Sequence, residues 1–416
     1  MFNRKSSQHP GPKPKFFYGY TIVVAAFLIM AIMWGTDYTF GIFLGPLLAE
    51  FGWTRAVTSA AFSLSLILTG VVAAISGKLT DKFGPKIVVT ISGVLISLGF
   101  LLLSQANSVW QLYLFYGVLI GVGMGGSFIP LASTIVRWFD KRRGMMTGIV
   151  VSGLGIGTLI MSPVATWLIS NYGWRTSYAV IGISAFILVI PAAQVLKYDP
   201  RPLGQSSYGG NELENKGSLP VTGYSLLEAM HTQQFWMLVI AWLCFGLGLG
   251  TVLVHIVPHA IDQGISAAGA AIILSIVGGL STAGRVVMGG ASDRIGIKLS
   301  TIVCFVLVSI SLFWLLAAKE LWMLYLFAIL FGFGYGGIAA LASPLIAEQF
   351  GLSSHGVILG IIMICVESGS AIGSAVSGHL FDIRGNYNLA FLTAALIAVI
   401  GLIPISLLRA TPPRKP

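Results

Sequence analysis

Twelve apolar runs separated by short polar breaks occupy most of the chain, at 17–48, 55–77, 86–104, 110–136, 144–170, 174–196, 234–260, 267–289, 299–317, 321–347, 356–380 and 387–408. A helix that crosses a bilayer needs about 20 predominantly apolar residues, so each run predicts one crossing. The first and fourth runs are long, which predicts tilt or protrusion beyond the membrane. One polar stretch, 197–233, holds Asp199, Pro200, Pro202, Gly209, Gly210, Glu212, Glu214 and Pro220, and leaves six runs on either side. The pattern predicts an all-α polytopic membrane protein. Its parts are a tail over 1–16, a six-helix bundle over 17–196, a central loop over 197–233, a second six-helix bundle over 234–408 and a tail over 409–416.

Composition narrows the class. Only 9% of the 416 residues are charged and 56% are apolar, whereas soluble domains carry about 25% charged residues. That excludes a cytosolic enzyme, a disordered chain and a secreted disulfide scaffold. The 51 glycines suit membrane helices packed at close range. Cys244, Cys304 and Cys365 all lie inside apolar runs and read as packing residues rather than disulfide partners or metal ligands. The first apolar run exceeds the roughly 7–15 residues of a signal-peptide core, so it is expected to be a span, preceded by a disordered basic tail.

The basic residues are unevenly placed. Loops and tails on the side of the termini hold 19 lysines and arginines; the opposite loops hold Arg55, Arg175, Lys319 and Arg384. Positive charge accumulates on the cytoplasmic side of membrane proteins. Both termini and the central loop are therefore expected in the cytoplasm of a bacterial cell, with the chain in its cytoplasmic membrane. The net charge of +10 follows from that topology, and no nucleic-acid partner is expected.

The two halves repeat. Residues 52–86 and 264–298 align without gaps at an offset of 212, so that Gly52, Ser63, Gly77, Asp81, Gly84 and Lys86 recur as Gly264, Ser275, Gly289, Asp293, Gly296 and Lys298. "GVGMGG" at 121–126 answers "GFGYGG" at 332–337. Such parallel repeats are the plan of carriers that rock around a site at the membrane midplane. The sharpest shared motif joins spans 2 and 3 as Gly77-Lys-Leu-Thr-Asp81-Lys-Phe-Gly84-Pro-Lys86, and spans 8 and 9 as Gly289-Gly-Ala-Ser-Asp293-Arg294-Ile-Gly296-Ile-Lys298. Its glycines permit a tight turn. Its aspartate suits the N-terminus of a neighbouring helix.

Twelve spans, two halves and this duplicated loop resemble the major facilitator superfamily. The resemblance implies two pseudo-symmetric bundles around a central cavity and alternating access. It also implies that Gly77, Asp81, Gly84, Lys86, Gly289, Asp293, Arg294 and Gly296 form conformational latches that do not bind substrate. "WFDKRRGMMTGIVVSGLGIG" at 138–157 is similar to a segment of monocarboxylate transporters and of the related oxalate/formate exchangers. "YGYTIVVAAF" at 18–27 resembles a degraded first-helix motif of that family, with Tyr18 and Tyr20 at positions usually held by tryptophan.

Ionisable residues inside spans are costly and are functional candidates by default. Asp37, His255, Arg285 and Glu367 stand out. Arg285 occupies the position whose repeat partner is Ala73, so the symmetry breaks there. A guanidinium offers a bidentate fork to a carboxylate; alternatively, an arginine in the cytoplasmic half of a span snorkels to the interface. The resemblance places a substrate-binding arginine at this point of span 8. Monocarboxylate transporters usually carry an aspartate one turn earlier, where this chain has Ser281. Eukaryotic members carry a lysine in span 1, where it has Tyr38. Oxalate exchangers add a cation in span 11, where it has Ile362. One cavity cation suits one carboxylate.

Further candidates are Tyr335, as a hydroxyl partner of the substrate or an aromatic packing group, and His255, as a substrate donor, a proton carrier or a structural histidine. Gly41, Cys365 and Ser368 are candidate cavity residues, and Tyr38, Ser281 and Cys365 are candidates for substrate binding. Asp37 and Glu367 are candidates for the coupling proton. No catalytic cluster, metal set, cofactor motif or phosphate-cradling loop is present in the sequence. The expected function is proton-coupled transport of a small monocarboxylate of the L-lactate or pyruvate class. The alternative is an anion exchanger of the oxalate/formate type. The expected partners are the anion, protons and the lipid bilayer, and the carrier is expected to be monomeric.

Overall fold

The computed structural model describes residues 17–139, 143–203, 205, 207–208, 224–351 and 354–409. The expected tail over 1–16, all of the expected tail over 409–416 except Arg409, and the basic residues Lys141 and Arg142 lie outside the described residues. The helices in chain order are α1 Gly19–Asp37, α2 Phe40–Phe51, α3 Arg55–Leu103, α4 Val109–Leu112, α5 Gly121–Gly125, α6 Phe128–Trp138, α7 Arg143–Val195, α8 Leu226–Met230, α9 Gln233–Asp262, α10 Ala267–Ile295, α11 Ile297–Ala317, α12 Leu321–Phe350, α13 His355–Arg384 and α14 Asn388–Leu407. A π-helix, Tyr113–Ile120, joins α4 to α5.

Among the described residues, ten helical segments are long and apolar enough to cross a membrane. Two of them are too long for one crossing. α3 has 49 residues and α7 has 53; at 1.5 Å per residue each would run roughly 70–80 Å, more than twice the apolar core of a bilayer. Each doubles back at a glycine with non-helical dihedrals, Gly84 (φ 78°, ψ 160°) in α3 and Gly173 (φ 77°, ψ 164°) in α7. Ten segments with two such reversals give twelve crossings.

The first and fourth crossings are long, as the sequence predicts, with 33 residues over Gly19–Phe51 and 27 over Val109–Ile135. The first is broken at Tyr38–Thr39 between α1 and α2. The fourth runs through the π-helix and is broken again at Gly126–Ser127 before α6.

The repeat is visible in the backbone itself. Gly52 and Gly264, Gly84 and Gly296, and Gly173 and Gly385 all have positive φ, and each pair is separated by the same 212 residues. Only at such positions is an L side chain strained, so the turns, and not just the apolar runs, are duplicated. The first half meets the second along α3 with α13, α7 with α10 and α2 with α9.

The central stretch is anchored at both ends. Trp138 Nε1 donates to Lys197 O (2.7 Å), and Tyr208 N donates to Trp138 O (2.9 Å). Tyr18 donates its hydroxyl to Val195 O (2.9 Å). Past the undescribed residues, Tyr224 N donates to Phe350 O (2.8 Å). α8 then opens on a capping box between Ser225 and Glu228, which satisfies two otherwise orphaned amides. Tyr18 and Tyr20 join an aromatic cluster with Phe17, Trp138, Phe139 and Tyr208 on this terminal side.

Candidate functional site

Two glycines flank the central arginine–tyrosine pair. A Cβ on Gly284 would stand 2.1 Å from Phe333 O, and one on Gly336 would stand 1.9 Å from Ser281 O. Their absence lets α10 and α12 touch backbone to backbone, beside the neighbouring Arg285 and Tyr335. Arg285 donates from Nη1 to Ser281 Oγ (3.2 Å) and from Nη2 to the Tyr335 hydroxyl (3.4 Å). The Tyr335 hydroxyl is 3.5 Å from that of Tyr38. The Tyr335 ring stacks on Phe245 and Phe331, so this residue both packs and presents a hydroxyl.

A cavity of about 180 Å³ lies between the halves, with Trp34, Tyr38, Trp242, Phe245, Arg285, Tyr335 and Glu367 among its walls. Its charged lining residues are Arg285 and Glu367. Arg285 is 9% exposed, and its Nε has no hydrogen-bond partner among the described residues. This arginine turns inward to Ser281 and Tyr335 instead of snorkelling outward. The Glu367 carboxyl makes no hydrogen bond to a described residue. Ala73, Ala74, Ala339 and Gly360 also line the cavity.

The other sequence candidates fall elsewhere. Ser281 is fully buried and donates to Gly278 O (2.7 Å), so it orients Arg285 without lining the cavity. Asp37 is 2% exposed, ends α1 and accepts from the Tyr116 hydroxyl (2.9 Å); it does not line the cavity. Cys365, Ser368 and Ile362 are also outside the lining set. Gly41 packs on the α9 backbone, where a Cβ would be 2.7 Å from Val254 O. His255 is fully buried with both ring nitrogens engaged, Nε2 with Ser374 O (2.8 Å) and Nδ1 with the Tyr387 hydroxyl (3.0 Å). Its place is a structural network on the side opposite the termini.

That far side is closed by Arg55, which the sequence marked only as a loop charge. Arg55 donates from Nη2 to Asp262 Oδ1 (2.9 Å) and from Nη1 to the Tyr387 hydroxyl (2.6 Å), and its guanidinium lies 3.7 Å from the Phe381 ring centroid. Asp382 accepts from the amides of Arg55 (3.0 Å) and Ala56 (2.9 Å). An aspartate of the second half thus caps a helix of the first. The repeat explains the arrangement. The first half pairs Glu50 with Arg175; 212 residues on stand Asp262 and Tyr387. The second half lacks its own arginine there, and Arg55 of the first half supplies one.

In the duplicated loops Gly84 and Gly296 make the expected turns. Among the described residues Asp81 accepts from the Tyr198 hydroxyl and from Arg137 Nη2 (3.4 Å), both side chains of its own half. Gly77 packs near Ile129, and Gly289 faces open space. Lys86 and Arg294 are exposed. The side chain of Asp293 lies outside what is described.

Twelve crossings in duplicated halves around a buried, charged cavity define a polytopic membrane transporter. The Major Facilitator Superfamily profile matches residues 24–318 and 262–416, and the chain belongs to that superfamily. Monocarboxylate transporter 13 of Rattus norvegicus is 29% identical over 94% of this chain and 89% of its own length. Monocarboxylate transporter 11 of Homo sapiens is 26% identical over 97% and 86%. The uncharacterized MFS-type transporter YhjX of Escherichia coli K12 is 28% identical over 82% of each. Among solved structures, a bacterial homologue of the human lysosomal transporter Spinster, inward-facing and occupied, superimposes with a TM-score of 0.74 at 14% identity, covering 95% of this chain and 97% of that one.

Proposed function

We propose that this chain is a proton-coupled carrier for a small monocarboxylate of the L-lactate or pyruvate class, working by alternating access across a bacterial cytoplasmic membrane. The bundles then span 17–196 and 234–408, with both termini in the cytoplasm. One observation carries the reading: a buried guanidinium, its Nε without a partner among the described residues, belongs to a side chain that lines a small cavity together with Glu367. The volume is below the roughly 300–1,000 Å³ of drug-sized ligand pockets, which suits a small acid. The relatives named as monocarboxylate transporters support the same class.

The chemistry follows from charge. Arg285 binds the carboxylate through its fork, and Tyr335 adds a hydroxyl. Glu367 takes the coupling proton, so that the loaded cavity carries less net charge when the halves close around it. Desolvating a smaller charge costs less. The contacts of Arg55 and Asp382 between the halves on the far side support reading the described state as inward-facing.

The test is uptake of labelled L-lactate into proteoliposomes with and without an inward proton gradient. Uptake is expected to rise with the gradient, and Arg285→Ala is expected to abolish it. Gradient-indifferent uptake would remove the coupling, and full activity of Arg285→Ala would remove the binding role. Uptake that requires substrate on the far side would favour the exchanger.

A further inference from the structure

A second hollow, of about 490 Å³, opens on the side opposite the termini and is lined by Leu316, Arg384, Asn386, Asn388, Leu389 and Leu392. These residues come from the last turns of α11 and α13, the turn after α13, and the first two turns of α14. Three crossings thus end around it. Trp322, in the first turn of α12, is 60% exposed and meets Trp314 of α11 edge-on at 6.2 Å. Exposed tryptophan at the end of a span marks the headgroup level of a bilayer.

The hollow goes with a break in the repeat. Gly385 ends α13 in left-handed backbone (φ 69°), and Asn386 follows it, 212 residues after Trp174. In the first half that tryptophan is buried, packs on Phe51 and Tyr178 and donates from Nε1 to Glu50 Oε2 (2.6 Å). Asn386 instead folds onto its own turn, donating to Arg384 O (3.2 Å) and accepting from Asn388 N (3.1 Å). A small amide stands where the repeat has a large ring, and space is left beside it.

The walls divide by chemistry. Of the cations on this side, Arg55 and Arg175 are paired with Asp262 and Glu50. Arg384 is exposed, and neither its guanidinium nor the Asn388 side chain has a hydrogen-bond or ionic partner among the described residues. A cation in the last turn of α13 suits the helix dipole, which accounts for the charge but not for the hollow. The other wall is Leu316, Leu389 and Leu392. In register with Leu392, the exposed side chains of Leu396, Val399 and Ile403 carry the apolar face of α14 on into the span.

We propose that this groove binds an anionic phospholipid of the leaflet opposite the termini. Arg384 and the Asn388 amide take the phosphate, and the leucine wall receives the start of an acyl chain that follows α14 inward. A free phosphate offers the same oxyanion but has no use for the leucines, so the lipid is the occupant. The site is separate from the central cavity and holds whatever that cavity carries.

In the experiment, purified protein in a neutral detergent is titrated with phosphatidylglycerol, phosphatidylcholine and glycerol 3-phosphate while its melting temperature is followed. Phosphatidylglycerol is expected to stabilise at lower concentration than phosphatidylcholine, and glycerol 3-phosphate to have no effect. Arg384→Gln is expected to weaken the apparent affinity for phosphatidylglycerol about fivefold, what one basic side chain supplies at an anionic lipid surface, and to leave phosphatidylcholine unchanged. Asn388→Asp, which sets a negative charge beside the phosphate and suits a helix N-terminus, is read in the same way should the first variant fail to fold. Lys319→Gln removes an exposed cation of the same side that does not line the groove and is expected to keep the preference. Equal stabilisation by the two lipids, or equal losses in Lys319→Gln and Arg384→Gln, overturns the site. Stabilisation by glycerol 3-phosphate as strong as by phosphatidylglycerol overturns the lipid as occupant.

Discussion

Arg285 and Glu367 share one small cavity but meet different fates in it. Arg285 is oriented by Ser281 and Tyr335, whereas Glu367 has no hydrogen-bond partner among the described residues to hold its charge. In Glu367→Gln the side chain stays neutral and of similar size. Lactate uptake by this variant is expected to lose its response to a proton gradient while lactate–lactate counterflow persists; counterflow lost together with uptake would instead make Glu367 a binding or packing residue. The sequence exposed both groups because an ionisable residue in an apolar run stands out. It exposed Arg285 more sharply because its repeat partner is Ala73. His255 was legible as a buried group, but its partners Ser374 and Tyr387 were not, because depth along a helix says nothing of which neighbour the side chain faces.

Among elements, the contact of α10 with α12 matters most to the site. Gly336 lets the two backbones meet, and a Cβ there has no flexible side chain to push aside. Gly336→Ala is expected to destabilise the protein by about 1–3 kcal/mol, the usual cost of overpacking, and to lower lactate uptake by shifting Tyr335 away from Arg285. Gly148 is the control. A Cβ on it would meet nothing within 4 Å, and alanine suits a helix better than glycine by up to about 1 kcal/mol, so Gly148→Ala is expected to keep or raise the melting temperature. Thermal unfolding in detergent distinguishes the two. Equal destabilisation would show that helix approach at Gly336 is not critical. The glycine-rich strings at 121–126 and 332–337 advertised close packing in general. Which backbone each glycine would meet was not readable, because that depends on how two helices cross.

Across the whole molecule, closure of the far side depends on groups lent from one half to the other. Further hydrogen bonds between the halves lie on the same side, as between Ser63 Oγ and Ala371 O at 2.7 Å. Toward the terminal side the described residues show a longer one, Thr282 Oγ1 to Ser152 O at 3.4 Å. Arg55→Gln removes the charge that bridges Asp262 and Tyr387. Asp382→Asn weakens the cap on α3. Each is expected to shift the carrier toward a state open on the far side, seen as faster labelling of single cysteines introduced there. Labelling rates equal to the parent would show that Arg55 and Asp382 do not hold the halves together.

The division between what could be read in one dimension and what needed three has a plain cause. Membrane crossings are set by apolar length, and duplication by an offset that survives even in the positive-φ glycines; both are properties of position along the chain. The meeting of Arg285 with Tyr335, 50 residues away, and of that tyrosine with Tyr38, 297 residues away, depends on helix rotation and crossing. So do the loan of Arg55 and the withdrawal of His255 and Asp37 from the cavity. Those angles come from the packing of many side chains at once, and no local pattern of residues encodes them.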